Sequence, residues 1–297
     1  GIATHATLYR SDASHTLVEL VSMGNFGMIR QDMDNTRWED FEKILGDVYF
    51  HGTRRGVRAL EHAKEKGLKI LGWIKQAHAW YNGLGKMSGA VTAMPNNPEA
   101  YDAHQRYAEV LVKNYGPYID YWEIWNEPNV AHFNSNGGTP EDLVEITKRA
   151  REVIDKYDPG APTIGMSLTH LNGTGLDWRA PLLKAGIVDG DKGINAMSLH
   201  PYHFVQSPEE FGIVDYIKEY HDKAMEYAEK TGVEELPVFI TEYGYSPNLA
   251  HIGEENGINW PIRSSLIYKA HGYGDYLFYY CLEQKGIIDY DGEDKYG

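Results

Sequence analysis

Eight short runs rich in apolar and β-branched residues recur along the chain, at 2–9, 27–33, 68–75, 119–125, 162–168, 194–200, 237–243 and 275–282, with longer segments of helical periodicity between them. Parallel strands need a crossover connection, and a helix is the usual one, so this alternation points to an α/β fold with a parallel sheet. Several runs, such as Val238-Phe239-Ile240, are apolar at consecutive positions, which fits strands covered on both faces. Between the third and fourth runs Ala100, Ala103, Tyr107 and Leu111 share one helical face, and after the fourth Leu143, Ile146, Ala150, Val153 and Tyr157 do the same. Asn97-Pro98-Glu99, Thr139-Pro140-Glu141-Asp142 and Ser207-Pro208-Glu209-Glu210 each offer a capping side chain, a proline for the first turn and acidic residues behind it. Gly67, Gly160 and Gly232 mark helix ends. No linker, repeat or low-complexity tract divides the 297 residues. The expectation is one domain, residues 1–297, folded as a closed (β/α)8 TIM barrel. A doubly wound open sheet is the alternative, but it would carry a glycine-rich phosphate fingerprint after the first strand, where none is found. After the last run only a short polar stretch to Gly297 remains, so the closing helix is expected to be absent, with the protein continuing past Gly297 or another element covering that side.

Charge and cysteine content narrow the partners. The chain has 28 basic and 43 acidic residues, a net charge of −15, so it repels a polyphosphate and is not expected to bind nucleic acid. A neutral substrate is indifferent to that field. Cys281 is the only cysteine, which excludes an intrachain disulfide, and its strand-like setting predicts a packed thiol. No apolar run approaches the roughly 18 residues of a membrane helix, so no membrane partner is expected. The sequence carries no signal peptide and opens directly on a strand-like segment, as it would after removal of a leader; this leaves localisation open, with a secreted or periplasmic location favoured. No residue pattern addresses the oligomeric state.

In a barrel of this kind the active site lies at the C-terminal ends of the strands. Those positions hold Arg30 and Asp32 (second strand), His78, Trp80 and Tyr81 (third), Asn126 and Glu127 (fourth), and His170 (fifth). The later strands add His200, Tyr202 and His203 (sixth), Glu242 (seventh), and Tyr279 and Tyr280 (eighth). Glu127 follows Tyr121-Trp122-Glu123-Ile124-Trp125, and Glu242 follows Val238-Phe239-Ile240-Thr241. A carboxylate after so apolar a strand is costly unless it is paired or used. Strands four and seven lie across a barrel from each other, so the two carboxyl groups can face one another over its mouth. Glycoside hydrolysis needs such a pair, about 5 Å apart for retention of configuration and about 6.5–9.5 Å for inversion. Trp38, Trp80, Tyr81, Phe133, Trp178 and Trp260 fall in the expected loops, where flat rings suit sugar faces, although some only pack loops.

Three of these segments carry a resemblance. Trp125-Asn126-Glu127-Pro128-Asn129, Ser198-Leu199-His200-Pro201-Tyr202 and Thr241-Glu242-Tyr243-Gly244 resemble the strand-four, strand-six and strand-seven signatures of the retaining barrel glycosidases of clan A. The order is kept over essentially the whole chain, and glycoside hydrolase family 39 is the most similar group, with family 5 as neighbour. The resemblance implies a glycoside hydrolase acting on β-linked oligo- or polysaccharide without a metal or other cofactor. It implies Glu242 as nucleophile and Glu127 as acid/base. Arg30 and Tyr202 would hold Glu242, Asn126 would bind the sugar 2-hydroxyl, and His78 and His200 would hold hydroxyls or carboxylates. Apart from the resemblance, Trp80 is the ring best placed to stack on a sugar, because it follows strand three directly. The family carries a tryptophan near the end of strand eight; here Tyr279 takes the best-matching place.

Two other readings are open. A metal-dependent barrel would use His5, His78, His170, His200 and His203, but the first strand lacks a His-x-His pair and no aspartate ends strand eight. A non-catalytic carbohydrate-binding barrel would be expected to lose one of the two glutamates, and this chain has both.

Overall fold

The computed structural model describes residues 1–4, 11–33, 54–74, 93–171, 174–202, 206–245 and 252–281. Their order is β1 (Ile2–Thr4), α1 (Ser11–Met23), β2 (Met28–Asp32), α2 (Arg54–Glu65), β3 (Lys69–Ile74), α3 (Pro98–Tyr115), β4 (Tyr121–Ile124) and α4 (Pro140–Tyr157). Then come β5 (Thr163–Thr169), α5 (Thr174–Ala185), β6 (Ala196–His200), α6 (Pro208–Phe211), α7 (Ile213–Ala228), β7 (Val238–Tyr243), α8 (Gly253–Ala270) and β8 (Leu277–Tyr279). Every strand pairs in parallel with its sequence neighbour, and β8 returns to β1 through Ile2 opposite Tyr279, closing the expected barrel. The expectation about a closing helix falls on residues 282–297, outside the described residues.

The helices form where the capping chemistry places them. Asn97 Oδ1 accepts from Ala100 N at 3.0 Å, and Thr139 and Asp142 make a reciprocal capping box, each cap contributing about 1 kcal/mol. Gly67 and Gly232 take φ of 73° and 83° just past their helices, a conformation that costs a side-chain-bearing residue. The inner faces of α3 and α4 are the ones expected: Ala100, Ala103, Tyr107 and Leu111, and Leu143, Ile146, Ala150 and Val153, are buried, with Tyr157 half-buried at the edge. They join the large apolar cluster between sheet and helices, where each buried Leu or Ile contributes about 1.5–3 kcal/mol.

Inside the barrel the contents change along its axis. Near the strand starts Leu71, Ile164, Ala196, Phe239 and Phe278 form a separate apolar plug, closed by Met28, Tyr121 and Tyr276. Toward the strand ends the interior is polar, with Arg30, Glu123, Ser167, Ser198, His200, Thr241 and Glu242 all buried.

Two bulges make that second layer possible. The β5–β6 register slips between Met166 and Leu168, and the β7–β8 register runs from Ile240 opposite Leu277 to Tyr243 opposite Tyr279. An extra residue on one strand breaks the in–out alternation. Consecutive residues Thr241 and Glu242 therefore both bond to groups in the barrel interior, while Tyr243 packs edge-on against Tyr268 of α8. Ser167, at φ 45°, is likewise directed onto Glu123.

Candidate active site

Arg30 organises the mouth of the barrel. It is 2% exposed and its guanidinium lies over the Trp73 ring at 4.0 Å from the centroid. Nε donates to Glu123 Oε2 at 2.6 Å, Nη2 donates to Asn126 Oδ1 at 2.8 Å, and Nη1 donates to Glu242 Oε1. One planar cation thus fixes three side chains from two strands. Burial opposes its charge, but the adjacent Glu123 and Glu242 hold its proton affinity above the ordinary arginine value.

Glu242 also accepts from Tyr202 Oη at 2.8 Å through Oε2. Burial by itself would raise its carboxyl, yet His200, Arg30 and the Tyr202 hydroxyl outweigh that and hold it below the usual carboxylate range. The Tyr202 phenol is pushed well above its ordinary value by burial and by the charge of Glu242, so it stays a donor.

Glu127 is differently placed. Its side chain is 14% exposed against 8% for Glu242, and it is held by His200, whose Nδ1 lies 2.8 Å from Glu127 Oε1. The backbone around it is unusual: Trp125 and Glu127 take φ of 66° and 42°, conformations costing about 1–3 kcal/mol each. Neighbouring bonds hold them there. Trp125 N donates to Ile74 O at 2.9 Å, its Nε1 to Phe133 O at 2.9 Å, and Glu127 N to Ser167 O at 3.2 Å. Asn129 ties the same turn to β5, its side chain donating to Thr169 O and accepting from Thr169 N.

His200 stands between the two glutamates. Ligand atoms of Glu127, His200 and Glu242 all lie within 4.8 Å of one another, so a carboxylate oxygen of Glu127 is within that distance of one of Glu242. Among the described residues this trio is the one group of His, Cys, Asp or Glu whose geometry could hold a metal ion. Arg30, in direct contact with Glu242, already supplies a fixed cation there and would repel a second. Of the histidines considered for a metal, His170 is exposed on its own loop, while His5, His78 and His203 lie outside the described residues.

The structure brings together Arg30, Asn126, Glu127, His200, Tyr202 and Glu242. His78 and Trp80 lie outside the described residues. Tyr279 requires a correction: it is 9% exposed, its ring is edge-on to Tyr243 at 5.9 Å, and it belongs to the cluster between sheet and helices. The reason is strand alternation. Phe278 fills the barrel interior, so its neighbour must face outward. The next residue, Tyr280, is half-buried and near enough to Tyr202 for its phenol to oppose ionisation there. Trp260 is buried against Tyr245 and Trp178 packs on the main core, so both stabilise loops and helices. Cys281 is buried, as expected.

Three site residues were not singled out from the sequence: Glu123, Thr241 and Trp73. Glu123 is fully buried and accepts from Arg30 Nε, Ser167 Oγ and Thr241 Oγ1. A lone charge inside Tyr121-Trp122-Glu123-Ile124-Trp125 was the available signal.

A parallel barrel with paired carboxylates over its C-terminal mouth is the architecture many glycoside hydrolases use. The chain matches no protein-family model and no curated protein sequence. Among solved structures it is similar to a family 39 glycoside hydrolase from the gut symbiont Bacteroides cellulosilyticus WH2, with TM-score 0.76 and 20% identity, over 99% of this chain and 60% of that one. It is also similar to the exo-β-1,4-mannosidase Op5Man5 from Opitutaceae bacterium strain TAV5, with TM-score 0.65 and 17% identity, over 97% and 54%. A family 39 β-xylosidase from Caulobacter crescentus matches with TM-score 0.62 and 15% identity, over 96% and 62%. The chain thus has the barrel fold of these enzymes and spans between half and two thirds of their length. No helix among the described residues is long and apolar enough to cross a membrane.

Proposed function

We propose that this chain is a retaining glycoside hydrolase that cleaves β-glycosidic bonds in oligo- or polysaccharides by double displacement. The observation that carries the reading is that one carboxylate oxygen of Glu127 and one of Glu242 lie within 4.8 Å of each other, with Arg30 and Tyr202 on Glu242 and His200 on Glu127. A separation near 5 Å leaves no room for a water between carboxylate and sugar and favours direct attack.

Glu242, kept ionised by Arg30 and His200, attacks the anomeric carbon. The bond from that carbon to the leaving oxygen breaks as Glu127 passes its proton to that oxygen. The resulting ester to Glu242 is then attacked by water. Glu127, now a carboxylate, takes the water proton, and Glu242 leaves as the free anion. Tyr202 donates to Glu242 Oε2 and Arg30 to Oε1, so either oxygen is steadied while the other reacts. Asn126 spends its carbonyl on Arg30, which leaves its Nδ2 group as a donor for a sugar hydroxyl. The β-xylosidase, β-mannosidase and β-glucosidase among the structural neighbours support a β-linked substrate.

The test is Glu242→Gly assayed on nitrophenyl β-glycosides of xylose, glucose, mannose and galactose. The expected result is loss of activity, restored by azide with release of a glycosyl azide of inverted configuration. Wild-type activity in Glu242→Gly would end the assignment.

A further inference from the structure

Behind the two proposed catalytic carboxylates lies a chain of hydrogen bonds that neither step uses directly. Glu123 is completely buried on β4, and its ion pair with Arg30 Nε makes it an acceptor at both oxygens. The Ser198 hydroxyl donates to Gly165 O at 2.9 Å, and Ser167 Oγ donates to Glu123 Oε1 at 2.8 Å. Thr241 Oγ1 donates to the same oxygen at 2.8 Å. Thr241 has one hydroxyl proton, and Glu123 takes it. The remaining contact of Thr241 Oγ1 is His200 Nε2 at 3.0 Å, and here Thr241 can only accept. His200 is 0% exposed, so no bulk water competes for either ring nitrogen.

We infer that Thr241, with Glu123 behind it, is a positioning residue for the acid/base step: it holds the proton of His200 on Nε2 and leaves Nδ1 to share the acid proton of Glu127. The inference rests on the reading of Glu127 as acid/base. Two consequences follow from the 2.8 Å contact between His200 Nδ1 and Glu127 Oε1. Before substrate binds, the acid proton is shared between Glu127 Oε1 and His200 Nδ1, and with substrate in place Glu127 gives it to the leaving oxygen. Once the proton has gone to the leaving group, an Nδ1 lone pair faces a carboxylate, and the pair regains a proton readily from the incoming water. The opposite ring form would do the reverse. Nδ1–H would donate to the Glu127 carboxylate, stabilise the deprotonated state and weaken the acid.

The charged and titratable groups facing His200 are Glu127 from β4, Glu242 Oε2 at 3.8 Å from β7, Arg30 from β2, and Tyr202 on its own segment. Burial alone would discharge the ring, but Glu242 and Glu127 hold it above the ordinary histidine range, with Arg30 opposing. The last proton on this line therefore belongs to the Glu127–His200 pair, and the basic limb of the pH–rate profile reports the pair.

The experiment combines a spectroscopic and a kinetic reading on the intact protein. Long-range ¹H–¹⁵N correlation of ¹⁵N-histidine-labelled wild type is expected to show the neutral His200 ring protonated on Nε2. In Thr241→Val, which removes the acceptor at constant volume, the neutral ring is expected to shift to Nδ1–H. The basic limb of kcat/KM on a nitrophenyl β-glycoside then moves down by about one pH unit, the worth of one neutral hydrogen bond. Thr241→Ser is expected to restore both. A wild-type ring protonated on Nδ1 overturns the inference without any variant, and so does a Thr241→Val protein with unchanged ring form and limb. Glu127→Ala separates the two claims: equal loss on good and poor leaving groups sinks the acid/base reading, while the wild-type ring form still tests the hydrogen-bond chain.

Discussion

Replacing Arg30 by methionine tests how the site is held together. The substitution keeps the unbranched apolar stem and removes the guanidinium over Trp73 with its donors to Glu123, Asn126 and Glu242. Two carboxylates that are 0% and 6% exposed then have no guanidinium beside them. Breaking a buried ion pair costs about 3–5 kcal/mol, a large share of the roughly 5–15 kcal/mol that stabilises a folded chain. At roughly 2–4 °C per kcal/mol, Tm falls by about 6–20 °C near neutral pH. The pH dependence carries the sign. In the wild type Glu242 is held low, so its contribution is present above the ordinary carboxylate range and is lost as pH falls through the lowered folded value. In Arg30→Met the guanidinium no longer offsets burial, so the Glu242 carboxyl sits higher than in the wild type, costs stability at neutral pH and recovers it by taking up a proton as the pH falls. Scanning calorimetry from about pH 7.5 to about pH 5 should therefore show the Tm gap between the two proteins narrowing. A gap under about 1 kcal/mol, or one constant across that range, would refute the idea that Arg30 acts by neutralising buried carboxylates.

Other substitutions read other parts of the structure. Tyr202→Phe removes a hydrogen bond to a charged group, about 1.5–3 kcal/mol, so kcat/KM should fall roughly tenfold to a hundredfold and the acidic limb should move to higher pH as Glu242 loses a donor. His104 is buried beside Trp125, and among the described residues neither ring nitrogen has a hydrogen-bond partner. Burial pushes its proton affinity down to about 4, so the unfolded chain binds more protons between there and the ordinary histidine value, and stability falls as the pH drops through that window. His104→Leu should raise Tm and flatten the dependence there; an unchanged slope would show that His104 is solvated or paired. Thr139→Ala deletes the capping box of α4 and should cost about 1 kcal/mol by thermal unfolding, with kcat/KM unchanged because the cap is on the outer ring of helices.

The barrel was legible because its signals are local: apolar strand runs, Asn97 and Thr139 as caps, and one apolar face on α3 and α4 all point the same way. The two glutamates were legible because a charge after an apolar strand is conspicuous. What could not be read depends on register. Period-two reasoning cannot foresee that a bulge turns both Thr241 and Glu242 inward, or that Ser167 swings onto Glu123. At β8 the plain alternation holds: Phe278 faces in, so Tyr279 faces out. Glu123 sits inside an apolar run, and the sequence does not display the Arg30, Ser167 and Thr241 donors that make its burial tolerable.

The central claim is that Glu242 forms a covalent bond to the sugar while Glu127 manages the proton. Incubation with dinitrophenyl 2-deoxy-2-fluoro-β-glycosides of glucose, mannose and xylose, followed by peptide mass mapping, tests it most directly. One fluorosugar per chain is expected, carried by the peptide containing Thr241-Glu242-Tyr243, and none in Glu242→Gln. A label on Glu127 or elsewhere, or turnover of an aryl β-glycoside to the α-configured sugar, would contradict it.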